Sequence, residues 1–345
     1  MKKSILGLLL VVVMCAGLLL GCSNGKSKTE STDSDGGDSS KDINVTLILS
    51  ARDEFNSIMS REAEATAKET GVNFTVQDAT NDAAKQIQFV ETARNNGDPV
   101  VIVYLVDPST AGEIVEKAGD MKVVFVNRYP TDDSVIKDND NVVYVGSNES
   151  QGGEQQGEAL ANFFNEKGQK EIKYVLIQGI LGNDSVIKRT EACLAKLEAE
   201  GIKATEATAP IACDWDRAKA IDKFSPIVSA NTEFDCVISN NDAMAIGAVE
   251  VLKNNNIDPK EVPVVGLDGT PDGVKAVQNE ELLMTTLQDA KGQGKGIIMA
   301  TINLVEGNPI NDGTDYELDE SGKVVWIAFE AIYKDNAEDF VDYYN

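Results

Sequence analysis

Several acidic, amide and guanidinium side chains stand directly after apolar, β-branched runs, where a strand would hand the chain to a loop. Asp268 ends VPVVGL, and Asn240, Asn241 and Asp242 follow FDCVIS. Asn127 and Arg128 end KVVFVN, Asp107 ends PVVIVYLV, and Asp53 follows the first such run by a few residues. Two carboxylates such as Asp53 and Asp268 could act as an acid–base pair. The same groups could instead hold a polar ligand through matched donors and acceptors. The chain has no histidine. That removes the Ser-His-Asp triad, the Cys-His pair and zinc sites built on His. There is no CxxC, and VVGLDGTPDG lacks the strand–GxGxxG–helix setting of a nucleotide site. Taken singly, Asn241 or Asp242 reads as a helix N-cap, and Asp107 before Pro108 as a turn. Binding without catalysis, and without a cofactor or metal, is the expectation.

The elements that position these residues alternate. INVTLIL (43–49) is an apolar β-branched run; EFNSIMSREAEATAKET (54–70) then sets Phe55, Ile58, Met59 and Ala63 on one helical face, and Gly71 stops it. The alternation continues through strands at 72–77, 99–105, 122–127 and 142–146. It resumes with strands at 171–178, 234–239, 262–267 and 282–288, again separated by amphipathic helices. Continuous apolar strands between such helices imply parallel sheets covered on both faces. Two runs of them predict an α/β protein of two doubly wound, Rossmann-like lobes. At 345 residues the chain has the length for about two domains. Ligands of open parallel sheets sit beyond the carboxyl ends of the strands, so facing lobes would form a cleft there. The formal net charge of −26 repels phosphate backbones and argues against nucleic acid as a partner.

The N-terminus follows a different pattern. Lys2 and Lys3 precede a nearly unbroken apolar run from Leu6 to Leu20, which ends in Leu19-Leu20-Gly21-Cys22. This resembles a bacterial lipoprotein signal (residues 1–21). The resemblance implies that Cys22 is lipidated, becomes the mature N-terminus and anchors the protein to the membrane. Residues 22–41 contain no large apolar side chain after Cys22 and read as a flexible tether. Its 19 residues from 23 to 41 would reach about 25 Å. Cys193, Cys213 and Cys236 remain in the body, so at most one disulfide can form there, and buried thiols are the favoured reading.

SNNDAMAIGAVEVLK (239–253) resembles the hallmark segment of the periplasmic sugar-binding proteins of the ribose/galactose type. LVDPSTAG, VVFVNRYP, VVYVGSNESQGGEQQGE, VVGLDGTPDG and TTLQDAKGQGKG resemble that family in the same order, across residues 43–343. Together they look most like galactose/glucose-binding proteins. The resemblance implies the type I periplasmic binding protein fold, with two lobes joined by three crossovers. Lobe one would be 43–147 plus 289–324, and lobe two 148–288 plus 325–345. It implies a monosaccharide, a galactose- or glucose-like hexose, held between the lobes. Phe55 and Trp215 match its stacking aromatics. Asp53 matches its hydroxyl-binding carboxylate, Arg189 its arginine, and Asn241 and Asp268 the amide and carboxylate of the second lobe.

Other pocket positions depart from that pattern. Tyr104 replaces an asparagine before LVDP, and Gln288 replaces an asparagine at the last hinge strand. Asn183 and Ser185 replace a histidine and an aspartate, with Asp184 between them. Which sugar is bound rests on these departures. NEKGQKEI (165–172) lacks the alternating oxygen ligands of the family's calcium loop. The partner implied is the permease of an ABC importer, with a chemoreceptor or sensor kinase as the rival, and the protein is expected to be a monomer. Another small polyol, an autoinducer or a nucleoside is the alternative ligand. A LacI-type regulator would carry a DNA-binding helix-turn-helix where the signal and tether stand.

Overall fold

The computed structural model describes residues 43–343. The signal segment, Cys22 and the tether lie outside the described residues. The first sheet gathers β1 (Asn44–Leu49), β2 (Asn73–Asp78), β3 (Val100–Val103), β4 (Lys122–Val126) and β5 (Val142–Gly146), interleaved with α1 (Glu54–Thr70), α2 (Ala83–Asn96), α3 (Ala111–Ala118) and α4 (Ser134–Lys137). The chain continues through α5 (Glu149–Glu166), β6 (Glu171–Gln178), α6 (Asp184–Ala199), β7 (Lys203–Glu206), β8 (Ile211–Ala212) and α7 (Arg217–Ser229). Next come β9 (Cys236–Ser239), α8 (Asp242–Asn254), β10 (Val264–Val265), α9 (Pro271–Gln278) and β11 (Thr285–Gln288). It closes with α10 (Ala290–Glu306), β12 (Glu317–Leu318), β13 (Val324–Trp326) and β14 (Phe329–Ile332).

The strand order of the first sheet is β12-β13-β5-β4-β3-β1-β2, parallel except for the edge pair β12–β13. The second runs β10-β9-β6-β7 with β8 also on β6, all parallel. Both sheets are covered on both faces, which is why the strands read as continuous apolar runs. In β1, Val45, Leu47 and Leu49 pack with α1 and α10, while Ile48 points into the cluster under α2 and α3. In β6, Ile172, Tyr174 and Leu176 face the cluster under α5 and α6, while Val175 and Ile177 face the one under α7 and α8. The period of two in a strand sends alternate residues to opposite faces, so two apolar faces need an apolar residue everywhere.

The chain passes between the sheets three times: from β5 to α5, from β11 to α10, and from β13 to β14. β14 pairs antiparallel with β11, and bridges Val265–Met284 and Asp268–Leu287 set β11 alongside the β10 edge of the second sheet. β13 pairs with β5 as far as Trp326, and Ile327 still donates its amide to the Gly146 carbonyl. The first sheet therefore extends past residue 324, where the lobe boundary was expected. On the second lobe, a Cβ at Gly153 would lie 2.2 Å from the Arg189 carbonyl oxygen. That contact lets α5 and α6 approach at the level of Arg189. Cys193, Cys213 and Cys236 are all free and buried. Burial pushes the Cys193 thiol up to about 12 and the Cys213 thiol to about 11, so neither is a ready nucleophile. No helix among the described residues is long and apolar enough to cross a membrane.

Candidate functional site

A cavity of about 580 Å³, its open mouth included, lies between the sheets at the carboxyl ends of their strands. The first lobe lines it with Asp53, Glu54, Phe55, Tyr104, Asn127 and Arg128. The second contributes Ser185, Arg189, Trp215, Asn241, Asp268 and Thr270 among others, and Gln288 stands at the second crossing. Eight residues expected at the pocket therefore meet here: Asp53, Phe55, Tyr104, Arg189, Trp215, Asn241, Asp268 and Gln288.

The helix-cap reading and the pocket reading turn out to be compatible. Asp53 caps α1, accepting the Asn56 amide at 2.7 Å through Oδ1. Its other oxygen accepts the Asn56 side-chain amide at 3.1 Å. A carboxylate oxygen has two lone pairs, so acceptor sites remain toward the cavity. Asn241 caps α8 through Oδ1, 3.0 Å from the Met244 amide, which leaves its Nδ2 as a donor.

Trp215 owes its place to an unusual loop. Asp214 and Trp215 both take left-handed backbone, at φ 54° and 67°. Each such non-glycine residue costs of order 1–3 kcal/mol, tolerated where surrounding contacts over-determine it. The ring lies against Gly179, where a Cβ would come within 2.2 Å of it. The Arg189 guanidinium stands 5.7 Å from the ring centre, within cation–π range.

Arg189 is 3 % exposed and spends most of its donors on the protein. Nη1 donates to the Asn240 carbonyl at 2.7 Å, and the same nitrogen lies 3.7 Å from Asp268 Oδ1. Asp268 sits at φ 126°, an outlier for an aspartate, where the chain leaves β10. Burial pushes its carboxyl well above the usual carboxylate range; Arg189 pulls it back, and the nearby Asp242 carboxylate adds to the rise. Asp242 itself is fully buried and accepts from the Thr285 hydroxyl at 2.5 Å and the Thr270 amide at 2.9 Å. Its carboxyl is also raised, again by burial first.

On the first lobe Tyr104 donates its hydroxyl to Asn127 Oδ1 at 2.6 Å, and Asn127 Nδ2 donates to Gln293 at 3.1 Å. Arg128 donates Nη1 to the Leu105 and Val106 carbonyls at 2.8 and 3.1 Å, with its guanidinium 5.0 Å above the Tyr104 ring. These bonds use one edge of the guanidinium. Asn127 and Arg128 were visible in the sequence as strand-end residues, but the resemblance carried no role for them.

Two expected residues do not line the cavity. Asn183 is buried at the N-cap position of α6, with no capping bond and an unpartnered Nδ2. Asp184 pairs with Lys188 at 2.9 Å. The reason is helical geometry. Residues four apart share a face, and each single step turns about 100°. Ser185 and Arg189 therefore point into the cavity together, while Asp184 and Lys188 stand one step round. Among the described residues, no three His, Cys, Asp or Glu side chains are grouped to hold a metal ion.

This fold and cleft are those of a solute-binding protein. Residues 45–309 match the periplasmic binding protein domain. The D-galactose/methyl-galactoside binding periplasmic protein MglB of Haemophilus influenzae is 32 % identical over 312 residues, covering 87 % of this chain and 91 % of that protein. The ribose import binding protein RbsB of Salmonella typhimurium is 28 % identical, covering 72 % and 79 %. An ABC transporter solute-binding protein from Bacillus halodurans, solved with bound myo-inositol, superposes with a TM-score of 0.75 at 28 % identity, covering 88 % and 98 %. The chain belongs to the periplasmic binding protein family; it is a solute-binding protein and not an enzyme, and the family places its folded body outside the cytoplasm.

Proposed function

We propose that the protein captures a monosaccharide, first of all a galactose- or glucose-like hexose, and delivers it to the permease of an ABC importer. The observation that carries this reading is the cavity lining. Phe55 and Trp215 come from opposite lobes, and Asp53, Arg128, Arg189, Asn241 and Asp268 line the same cavity. A pyranose offers apolar C–H faces for the rings and hydroxyls at its edge for the charged groups. A buried hydroxyl left unpaired costs about 1–3 kcal/mol, so this polar girdle selects a polyol over an apolar solute. The 32 % identity to the galactoside-binding relative supports a hexose. The relative solved with myo-inositol supports a cyclic polyol as the second reading.

A thermal-shift panel of D-galactose, D-glucose, D-ribose and myo-inositol tests the proposal. Ligand stabilises as RT ln(1 + [L]/Kd), so a micromolar binder at millimolar concentration adds about 4 kcal/mol. One member should raise the melting temperature by several degrees. No shift with any member would reject the sugar reading and advance a nucleoside or autoinducer.

We also propose that Cys22 carries the lipid anchor, with residues 22–41 as the tether. The mature body, without Lys2 and Lys3, has a formal charge of −28 (−26 − 2) and is repelled by anionic lipid. Covalent acyl chains would then supply the membrane affinity. Cys22→Ser should move the protein from the membrane fraction to the soluble extracytoplasmic fraction; retention on the membrane would refute the anchor.

A further inference from the structure

Glu149, 4 % exposed, opens α5 directly after the first crossing, and Gln288, 2 % exposed, ends β11 directly before the second. Arg189, between them in space, lines the cavity. The three side chains close a ring of hydrogen bonds. Arg189 Nε donates to Glu149 Oε2 at 2.6 Å, Arg189 Nη2 donates to Gln288 Oε1 at 3.2 Å, and Gln288 Nε2 donates to Glu149 Oε1 at 3.1 Å. Three donors meet three acceptors, and every position in the ring is determined. The carboxylate orients the Gln288 amide, and together they hold the guanidinium plane. The remaining Arg189 valence is directed at the Asn240 carbonyl, Asp268 and the cavity.

We infer that Glu149 is a positioning residue: it touches no ligand itself, but ties the ligand-facing Arg189 to the two crossings about which the lobes close. The inference rests on the proposed sugar-binding function for its affinity readout, but not for its other readouts. Its chemistry makes a specific demand. Glu149→Gln gives the ring four donors and two acceptors, so every amide orientation leaves a donor facing a donor. Gln288→Glu alone sets one carboxylate against another. The double exchange, Glu149→Gln with Gln288→Glu, restores three donors and three acceptors with the ring running the other way. Buried donors left unpaired are costly, whereas a restored match is not.

The test compares both single variants and the double variant of the mature protein. The probe is whichever of D-galactose, D-glucose, D-ribose and myo-inositol binds the wild-type protein. Calorimetry should show each single variant weakened about 10-fold or more, and the double variant recovering most of that loss despite carrying both changes. Two ligand-free readouts accompany it. The melting temperature should fall in the singles and return in the double. Trp215 emission, read in a Trp326→Phe background because the chain has only two tryptophans, should shift in the singles and return in the double, since Arg189 stands beside that ring. If the double variant loses as much as the two singles combined, the ring is refuted. If melting recovers while neither affinity nor Trp215 emission responds to the single changes, Glu149 is only a brace and the positioning role fails. If no probe binds the wild-type protein, the sugar reading fails, and the two ligand-free readouts still decide this one.

Discussion

Replacing Trp215 by alanine should weaken sugar binding about 30- to 150-fold while the protein stays folded. The ring stands on a loop between β8 and α7, against the bare backbone of Gly179 and at the margin of the cluster under α7 and α8. Its removal uncovers only the margin of that cluster and leaves the strand ladder intact. What it does remove is one of the two flat apolar surfaces available to a sugar ring, together with a neighbour of Arg189. Aromatic anchors of this kind carry roughly 2–3 kcal/mol when truncated, which corresponds to the stated loss. Trp215→Phe keeps a flat face and should lose far less. The backbone at 215 is left-handed in either variant, so both carry the same local strain and the comparison isolates the ring. Calorimetry with the sugar chosen by the panel is the measurement, and a loss under threefold for Trp215→Ala would show that the ring does not stack on the ligand.

The second large effect has opposite signs for binding and for stability. Asp268→Asn should weaken binding about 10- to 150-fold, because a charged acceptor contributes about 1.5–3 kcal/mol in a buried hydrogen bond. The same change should raise the melting temperature of the ligand-free protein at pH 7 to 8. Burial holds the Asp268 carboxyl well above its ordinary value of 3.8. A carboxyl raised in this way favours the folded state fully at a pH below its unfolded value. That contribution is lost as the pH rises through its folded value. At pH 7 to 8 an exposed carboxyl of the unfolded chain ionises freely while the buried site resists that charge, so the fold bears a cost there that the amide relieves. Arg189 keeps Glu149 as its partner, so the variant does not strand a buried cation. The stability gap between variant and wild type should close as the pH is lowered toward 4. A variant less stable than wild type at pH 8 would mean that the Arg189–Asp268 pair stabilises the free protein. The arrangement suits a receptor that must release its ligand. The charged girdle is costly when empty and is satisfied when a polyol occupies it.

Much of this protein was legible in the chain. The central strands could be read because they are apolar on both faces, as a sheet sandwiched between helices demands, whereas edge strands such as β2 and β7 alternate or turn polar. The helices could be read because one face of each is apolar, and Asp53, Asp82, Asp216 and Asn241 cap them as local hydrogen-bonding rules dictate. The strand-end rule pointed to Asp268, Asn241, Asn127 and Arg128 before any fold was known, since ligands of parallel sheets gather at that end. The resemblance to sugar-binding proteins then selected Phe55, Arg189 and Trp215 from regions where spacing alone said little.

Tertiary structure decided the rest. Helix phase placed Ser185 beside Arg189 at the cavity and turned Asp184 away toward Lys188, a distinction of one residue that no motif expresses. The extension of β13 to Trp326 came from pairing with β5, a partner 180 residues earlier. Glu149 had no signal of its own. It follows a strand by three residues, as many surface glutamates do, and only the return of the chain through Gln288 and the docking of α5 on α6 enclose it with Arg189. Local patterns determine elements, because caps and periodicities act within a few residues. Which charged groups meet and neutralise one another depends on contacts across 40 to 139 positions of chain, and those exist only once the lobes are assembled.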